Sequence, residues 1–475
     1  MDLPATASTH DIRQTAVRGL PLLFDRATEC LLYVMIVFSP WAFGTTEPWS
    51  VRLMNFGGYV LGILLLAKWT VRRRVFALSA GSTRRFSLAL LCVIGLILAY
   101  ILTAALNAEF THVRAEFRQD PHPHVDWLPH SLDRLASWQF FQNWLALACI
   151  FWAVHDWIMN DSTLEGNFRT RRLRRLIFVL AINGALVALE GILQRSSGTA
   201  RLLWFRPTHD NPTAAAQFGP YAYRANAAQL FNLIWPPALA LWWHLHLRPA
   251  PSRPSQRHHW LLPAVVLLVV ASLVSMSRGG VVVTLLELCA CGCLFFAAGR
   301  FSAAVRWKMG AAFLVTMAVA WYFGGDGIAE RFHGTSADPL GGRRESYQLA
   351  EQMTHDYPWF GIGPGAFTSV FQVYRNSPGD YWPAQLHNDW LEFLITFGRL
   401  GCALLVVAAG LIAARWWRPG GLRLHWTFAA FVWIAIGGCL LHARFDFPLQ
   451  IYSIQFVCVL LAAVLFSLSR VRSGG

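Results

Sequence analysis

The sequence predicts an all-α, polytopic membrane protein with about twelve transmembrane helices, a large partly helical periplasmic loop and both termini in the cytoplasm. Three observations carry that prediction. The chain is 55% hydrophobic, with 22 Trp and 33 Phe, and only 14% charged, well below the share of roughly one quarter in soluble globular proteins. Apolar runs close to the about 20 residues that cross a hydrocarbon core recur from Cys30 to the C-terminus, each broken by a charged or Pro/Gly-rich stretch. Basic residues, in a chain of net charge +14, cluster in alternate gaps between those runs.

The elements follow in order. Residues 1–26 are polar and charged, with no short apolar core leading to a small-residue cleavage site, so the first span, 29–46, is expected to be retained. Spans 52–71, 86–106 and 138–158 complete an N-terminal group within 1–170. The central group, 171–325, holds spans 176–194, 226–247, 260–277, 280–299 and 309–325. A loop at 326–389 separates it from the C-terminal group, 390–475, with spans 390–414, 426–443 and 449–468. The basic clusters at Arg13/Arg18/Arg26, Arg72/Arg84, Arg169/Arg175, Arg248/Arg257, Arg300/Lys308, Arg415/Arg423 and Arg470/Arg472 fall on one side under the positive-inside rule. That makes the span number even. Charge dispersed between spans forms no stripe for a nucleic acid, so no nucleic-acid partner is expected.

All nine cysteines lie in or beside apolar segments, including Cys289, Cys291 and Cys293 in the string CACGC, which reads as small packing residues and not as a disulfide or metal site. His112, His122, His124 and His130 cluster in the 107–137 loop at spacings that match no metal site. The string FGIGPGAF at 360–367 lacks the Lys and the Ser or Thr of a phosphate loop and reads as a backbone turn. No repeat and no matched pair of interrupted helices is visible, as many carriers would show.

The ionisable groups concentrate in the 326–389 loop, expected to fold partly into helix over 346–355 and to cap a cavity. The seventh span ends in the string SMSRGG, which puts Arg278 at a membrane interface, opposite the side set by the basic clusters, where it either reaches lipid headgroups or binds an anionic ligand. Its two glycines are expected to let the chain reverse. Arg343 and Arg344 precede the loop helix, where a cation adds to the positive helix end and favours an anion such as a diphosphate; surface pairing with Glu345, Glu351 or Asp356 is the plain alternative. His387 follows the turn-rich NSPGDYWP and enters a span beside Asp389, with Glu392 nearby, as a proton acceptor in a water-accessible pocket would.

Taken together, ALEGILQ at 188–194, RANAAQLFNLIWPPALAL at 224–241, SMSRGG, GGRRESYQLAEQMTHDYPWFGIGPGAF, LHNDWLEFLITFGRLG and HARFDFPLQI at 442–451 resemble, in this order, the O-antigen ligase and polymerase superfamily of bacterial membrane glycosyltransferases. The resemblance covers the second half of the chain. It implies an inner-membrane enzyme, active site facing the periplasm, that moves glycan from a polyprenyl-diphosphate-linked donor to lipid A core or another glycan acceptor, without a cofactor or metal and with inversion. It implies catalytic roles for Arg278, Arg343 and His387, with Arg344 as the alternative to Arg343. Asn226, Gln229, Asp389 and Glu392 are expected substrate contacts, and Asp389, Glu392 or Asp446 alternative proton acceptors to His387. Ligation, O-antigen or exopolysaccharide polymerisation and, from another class, transport of the lipid-linked glycan remain open at this point, together with contacts to membrane lipids.

Overall fold

The computed structural model describes residues 9–75, 83–113, 118–159, 168–208, 213–246, 259–298, 343–375, 384–416 and 423–468, with 307, 310, 311, 314 and 318 singly. Eleven of the expected spans coincide with helices: α1 (Thr9–Trp41), α2 (Pro48–Val75), α3 (Thr83–Leu106), α4 (Arg134–Met159), α5 (Phe168–Ser196), α6 (Arg224–His246), α7 (Leu261–Val274), α8 (Arg278–Ala298), α11 (Asp389–Ala414), α12 (Arg423–His442) and α13 (Tyr452–Leu468). Two shorter helices, α9 (Arg344–Asp356) and α10 (Phe367–Tyr374), lie in the long loop. Apart from those single positions, the expected span 309–325 lies outside the described residues, as do the loop residues 326–342 and 376–383 with Arg331, His333 and Asp380.

Among the described residues five helical segments are long and apolar enough to cross a membrane: 48–72, 85–106, 171–196, 278–297 and 389–414. Parts of α7, α12 and α13 form shorter apolar segments. Helices α4 and α6 are apolar by position and not by average, because their buried faces carry His155, Asn226, Gln229 and Asn232.

Packing centres on α6, whose residues 225–238 are all buried and which meets α5, α7, α8, α12 and α13. Pro236 and Pro237 sit inside it, removing two backbone donors where the chain is surrounded by other helices. Helix α2 lies against α4 through Gly58 and Gly62, where an added Cβ would stand 2.9 Å from the Ala146 carbonyl and 2.7 Å from Cys149 Sγ. Small residues four apart let two backbones approach in this way. A buried polar knot fastens α6, α7 and α8: Ser272 and Thr284 donate to Asn232 Oδ1 at 3.1 and 2.8 Å, while Asn232 Nδ2 donates to the Gly280 carbonyl at 3.1 Å.

Ends of these helices gather on two faces. On one, the loop face, the connecting segments build a second core from Leu132, Met353, Ile362, Phe367, Phe371 and Leu386. It includes the expected loop helix, α9, whose bounds enclose 346–355. The 107–137 loop carries a hairpin, β1 (Phe110–Val113) against β2 (Arg118–Pro121), and its histidines bond locally: His122 to Thr111 at 2.8 Å, His112 to the Leu132 carbonyl at 2.9 Å, His124 to Asp126 at 2.9 Å.

Helix α11 is interrupted at Gly398 (φ 61°, ψ −173°), a difference from the continuous span expected there. The break frees the carbonyls of Ile395, Thr396 and Phe397. They accept from Ile362 N–H (2.9 Å), Gly363 N–H (3.2 Å) and the Tyr100 hydroxyl (2.7 Å). The FGIGPGAF string is therefore a turn-rich segment docked on a broken helix, and the positive φ of Gly361 (70°), Gly363 (102°) and Gly365 (81°) lets it thread that gap.

The opposite face holds a dense knot of buried charges. Lys68 Nζ lies between Asp25 and Asp156, Arg172 bonds Asp25 at 3.0 Å and the Trp157 carbonyl, and Trp69 donates to Asp156 at 3.1 Å. Lys68, Asp25 and Arg172 are fully buried, joining α1, α2, α4 and α5.

Candidate functional site

Four helices begin at one place on the loop face. Helix α8 starts at Arg278, α9 at Arg344 directly after Arg343, α11 at Asp389 directly after His387 and Asn388, and α6 at Arg224 directly after Tyr223. Each start carries the partial positive charge of a helix N-terminus. The turn from α12 to α13, with His442 and Asp446, runs between them.

The α8 start explains SMSRGG differently from a reversal at its glycines. The chain reverses at Ser275–Ser277, with Met276 at φ 57°, and Ser277 caps the helix by accepting from Gly280 N–H at 3.2 Å. The glycines lie in the first turn, where a Cβ at Gly279 would stand 2.6 Å from His442 Nε2 and one at Gly280 2.5 Å from Ala228 Cβ. They bring the half-buried Arg278 against α6 and α12.

His387 has φ 60°, which a non-glycine residue adopts only when its surroundings enforce it. They do so from every side. Leu386 N–H donates to Glu392 Oε2 at 2.8 Å, the His387 carbonyl accepts from Tyr347 Oη at 2.9 Å, Asn388 Oδ1 caps α11 through Leu391 N–H at 3.3 Å, and Asp389 N–H donates to the Ala443 carbonyl at 2.8 Å. Asp389 Oδ2 in turn accepts from Leu449 N–H at 2.7 Å. The buried carboxylates of Asp389 and Glu392 thus face backbone amides and fix the His387 loop.

His387 Nδ1 meets Asp446 Oδ1 at 3.0 Å, so Nε2 is the nitrogen left to face a reactant, on a side chain 31% exposed. Asp446 is buried and also accepts from Tyr223 Oη at 3.1 Å and Phe447 N–H at 3.1 Å. Burial alone would raise its carboxyl, but the His387 hydrogen bond and the charges of His442, His387 and Arg343 outweigh that and hold it below the ordinary carboxylate value. Tyr223 shifts the other way: burial and then the neighbouring Asp446 push its phenol up, keeping the hydroxyl protonated as a donor.

The structure also separates the two loop arginines. Arg343, half-buried, donates to the Phe445 carbonyl at 2.8 Å, beside Asp446, and its charge reaches Tyr223, Tyr347, His442 and Asp446. Arg344 is exposed on α9. Of the α6 residues, Gln229 is buried and its Oε1 lies 2.7 Å from His442 Nδ1; Asn226 is buried in the first turn. His442 Nε2 stands 4.0 Å from Asp446 Oδ2. Arg343, His387 and Gln229 therefore meet the end of α12 and the turn after it, Arg278 and Asn226 lie in the first turns of α8 and α6, Asp389 and Glu392 bond backbone amides, and Arg344 is exposed.

Sequence reasoning gave no role to Tyr223, His442 or Arg224. The signals were present: His442 and Asp446 are one helical turn apart at a span end, and Tyr223-Arg224 stands directly before a buried helix. CACGC is a run of free cysteines on α8, Cys291 buried and Cys289 and Cys293 exposed.

Residues 263–406 match the O-antigen ligase family. No curated protein matches the chain. The matched stretch runs from α7 through Arg278, Arg343 and His387 into α11. Residues 263–406 are thus similar to an O-antigen ligase domain, in a chain whose described helices include five long and apolar enough to cross a membrane.

Proposed function

We propose that this protein transfers glycan from a polyprenyl-diphosphate donor to an acceptor hydroxyl at the loop face, which is the periplasmic face of a bacterial inner membrane. The observation that carries the reading is the His387–Asp446 pair at 3.0 Å, ringed by Arg343, Arg278 and four helix starts. A paired histidine is a proton acceptor. Positive helix ends and guanidinium groups suit a diphosphate.

The acceptor oxygen attacks the anomeric carbon, the bond from that carbon to the diphosphate oxygen breaks, and the diphosphate leaves with the electron pair. Arg278 and Arg343 neutralise the charge that develops on it, the role that oriented donors play best in a water-poor site. The acceptor proton passes to His387 Nε2, and Asp446 balances the resulting imidazolium through Nδ1. A single displacement of this kind inverts the anomeric centre. The two arginines supply the charge that a divalent metal supplies elsewhere, so the reaction runs without metal or other cofactor.

Acceptor identity separates ligation to lipid A core from polymerisation, and the test addresses both. Purified protein in proteoliposomes receives a polyprenyl-diphosphate oligosaccharide with either lipid A core or further donor, in the presence of EDTA. Glycan attached to lipid A core supports the ligase reading, and chain growth on the donor supports polymerisation. Donor that crosses the bilayer with no bond formed in either arm refutes transfer in favour of a carrier.

A further inference from the structure

We propose that Tyr223 is a positioning residue that occupies Oδ2 of Asp446 and so directs His387 to Oδ1; the proposal rests on the transfer reading above for its kinetic consequence but not for its structural one. The Tyr223 hydroxyl donates to Oδ2 at 3.1 Å while Oδ1 faces His387 Nδ1 at 3.0 Å. Phe447 N–H also donates to Oδ1, at 3.1 Å, so the carboxylate is tied at both oxygens and the Tyr223 hydroxyl is the side-chain donor that occupies Oδ2 and leaves Oδ1 to the His387 ring.

The ring of Tyr223 is fixed independently of its hydroxyl. It stacks on Phe447 at 5.3 Å and 9°, and both rings stand edge-on to His387, at 5.8 Å and 4.7 Å. His387 therefore packs beside a stacked aromatic pair, and the hydroxyl of one of the two rings bonds its counter-ion. The other charged and titratable groups about the pair are Arg343 and Tyr347 on α9, His442 closing α12, Arg444 in the turn, Arg224 opening α6, Arg278 opening α8 and Asp389 opening α11. None of them donates a hydrogen bond to Asp446 Oδ2 at the distance Tyr223 does; His442 Nε2 is 4.0 Å away.

Removing only the hydroxyl, in Tyr223→Phe, leaves the stacked pair and returns Asp446 charge to His387. Without that donor Asp446 has more charge to offer His387 Nδ1, so the imidazolium is better stabilised in Tyr223→Phe than in wild type. The experiment is an NMR titration of imidazole-labelled protein in lipid nanodiscs, for wild type and Tyr223→Phe, with His387→Gln to assign the signal. An upward shift of His387 in Tyr223→Phe supports the proposal, and an unchanged titration overturns it. Transfer kinetics on the same samples form the second arm. The acid limb of the kcat profile is expected to move to higher pH by the same amount, with KM unchanged. A shifted titration in a protein that makes no product keeps Tyr223 as the positioning residue and removes the transferase reading. An equal loss of folding and activity, with the titration unmoved, makes Tyr223 a packing residue only.

Discussion

Replacing Asp446 by Asn tests the pairing at the site without changing its shape. Asp446 is buried and engaged by His387 Nδ1 at 3.0 Å, Tyr223 Oη at 3.1 Å and Phe447 N–H at 3.1 Å, all three of which suit an acceptor oxygen. An asparagine keeps one oxygen and replaces the other by a donor. If the oxygen stays with Tyr223, the new NH2 faces His387 Nδ1 and drives the ring proton to Nε2, the nitrogen that must receive the acceptor proton. If the oxygen faces His387, the Tyr223 hydroxyl loses its partner and the imidazolium still lacks a counter-charge. A hydrogen bond to a charged group contributes about 1.5–3 kcal/mol, which at about 1.4 kcal/mol per tenfold is a loss of roughly 10- to 150-fold in rate. Single-turnover transfer at saturating donor measures it, and the loss is expected in the chemical step with donor affinity kept. Asp446→Asn within about threefold of wild type, beside an inactive His387→Ala, would refute the pairing as the source of His387 basicity.

Arg343→Ala is expected to weaken donor binding and slow transfer by roughly 10-fold or more, as loss of a charge-assisted contact does, whereas Arg344→Ala, at an exposed position, changes neither; parallel titrations with labelled donor distinguish them. Gly363→Ala places a Cβ 2.1 Å from Ser131 Oγ at φ 102°, so the FGIGPGAF segment cannot stay in the α11 break, and the melting temperature in detergent falls together with activity. Lys68→Ala leaves Asp25 and Asp156 without their shared cation, a loss of roughly 3–5 kcal/mol for a buried ionic group, seen as lowered expression or melting temperature at a distance from the site. Asp446, held below the ordinary carboxylate value, contributes stability that is fully present above its unfolded pKa of about 3.9 and is lost as pH falls through its lower folded value. Wild type is therefore expected to lose more melting temperature than Asp446→Asn across that acidic window.

The spans were legible because apolar length is a one-dimensional signal, and the loop helix because Ser346–His355 has helix-forming composition between two turn-rich segments. Arg278, Arg343 and His387 were legible as an ordered set of strings, and the structure sets each at or directly before a helix start on the loop face. The α11 break was not, since Gly398 lies in an apolar run and the segment that fills the gap comes from residues 360–363. Nor was the Lys68 knot, because its partners come from four helices and each charge, taken singly, reads as a span boundary. Asp389 and Glu392 read as site groups from their position beside His387. Their carboxylates accept from backbone amides, a pairing set by the fold of the turn and absent from any local pattern. Tyr223 was passed over because its partner lies 223 residues away in sequence.

The central claim is that arginines hold the donor diphosphate while the His387–Asp446 pair takes the acceptor proton, and one measurement divides these roles: labelled polyprenyl-diphosphate oligosaccharide bound to, and turned over by, wild type, Arg343→Ala and His387→Ala in proteoliposomes. The account predicts that His387→Ala binds donor as wild type does and makes no glycosidic bond, while Arg343→Ala loses donor binding. Full transfer by His387→Ala, or undiminished donor binding by Arg343→Ala together with Arg278→Ala, would contradict it.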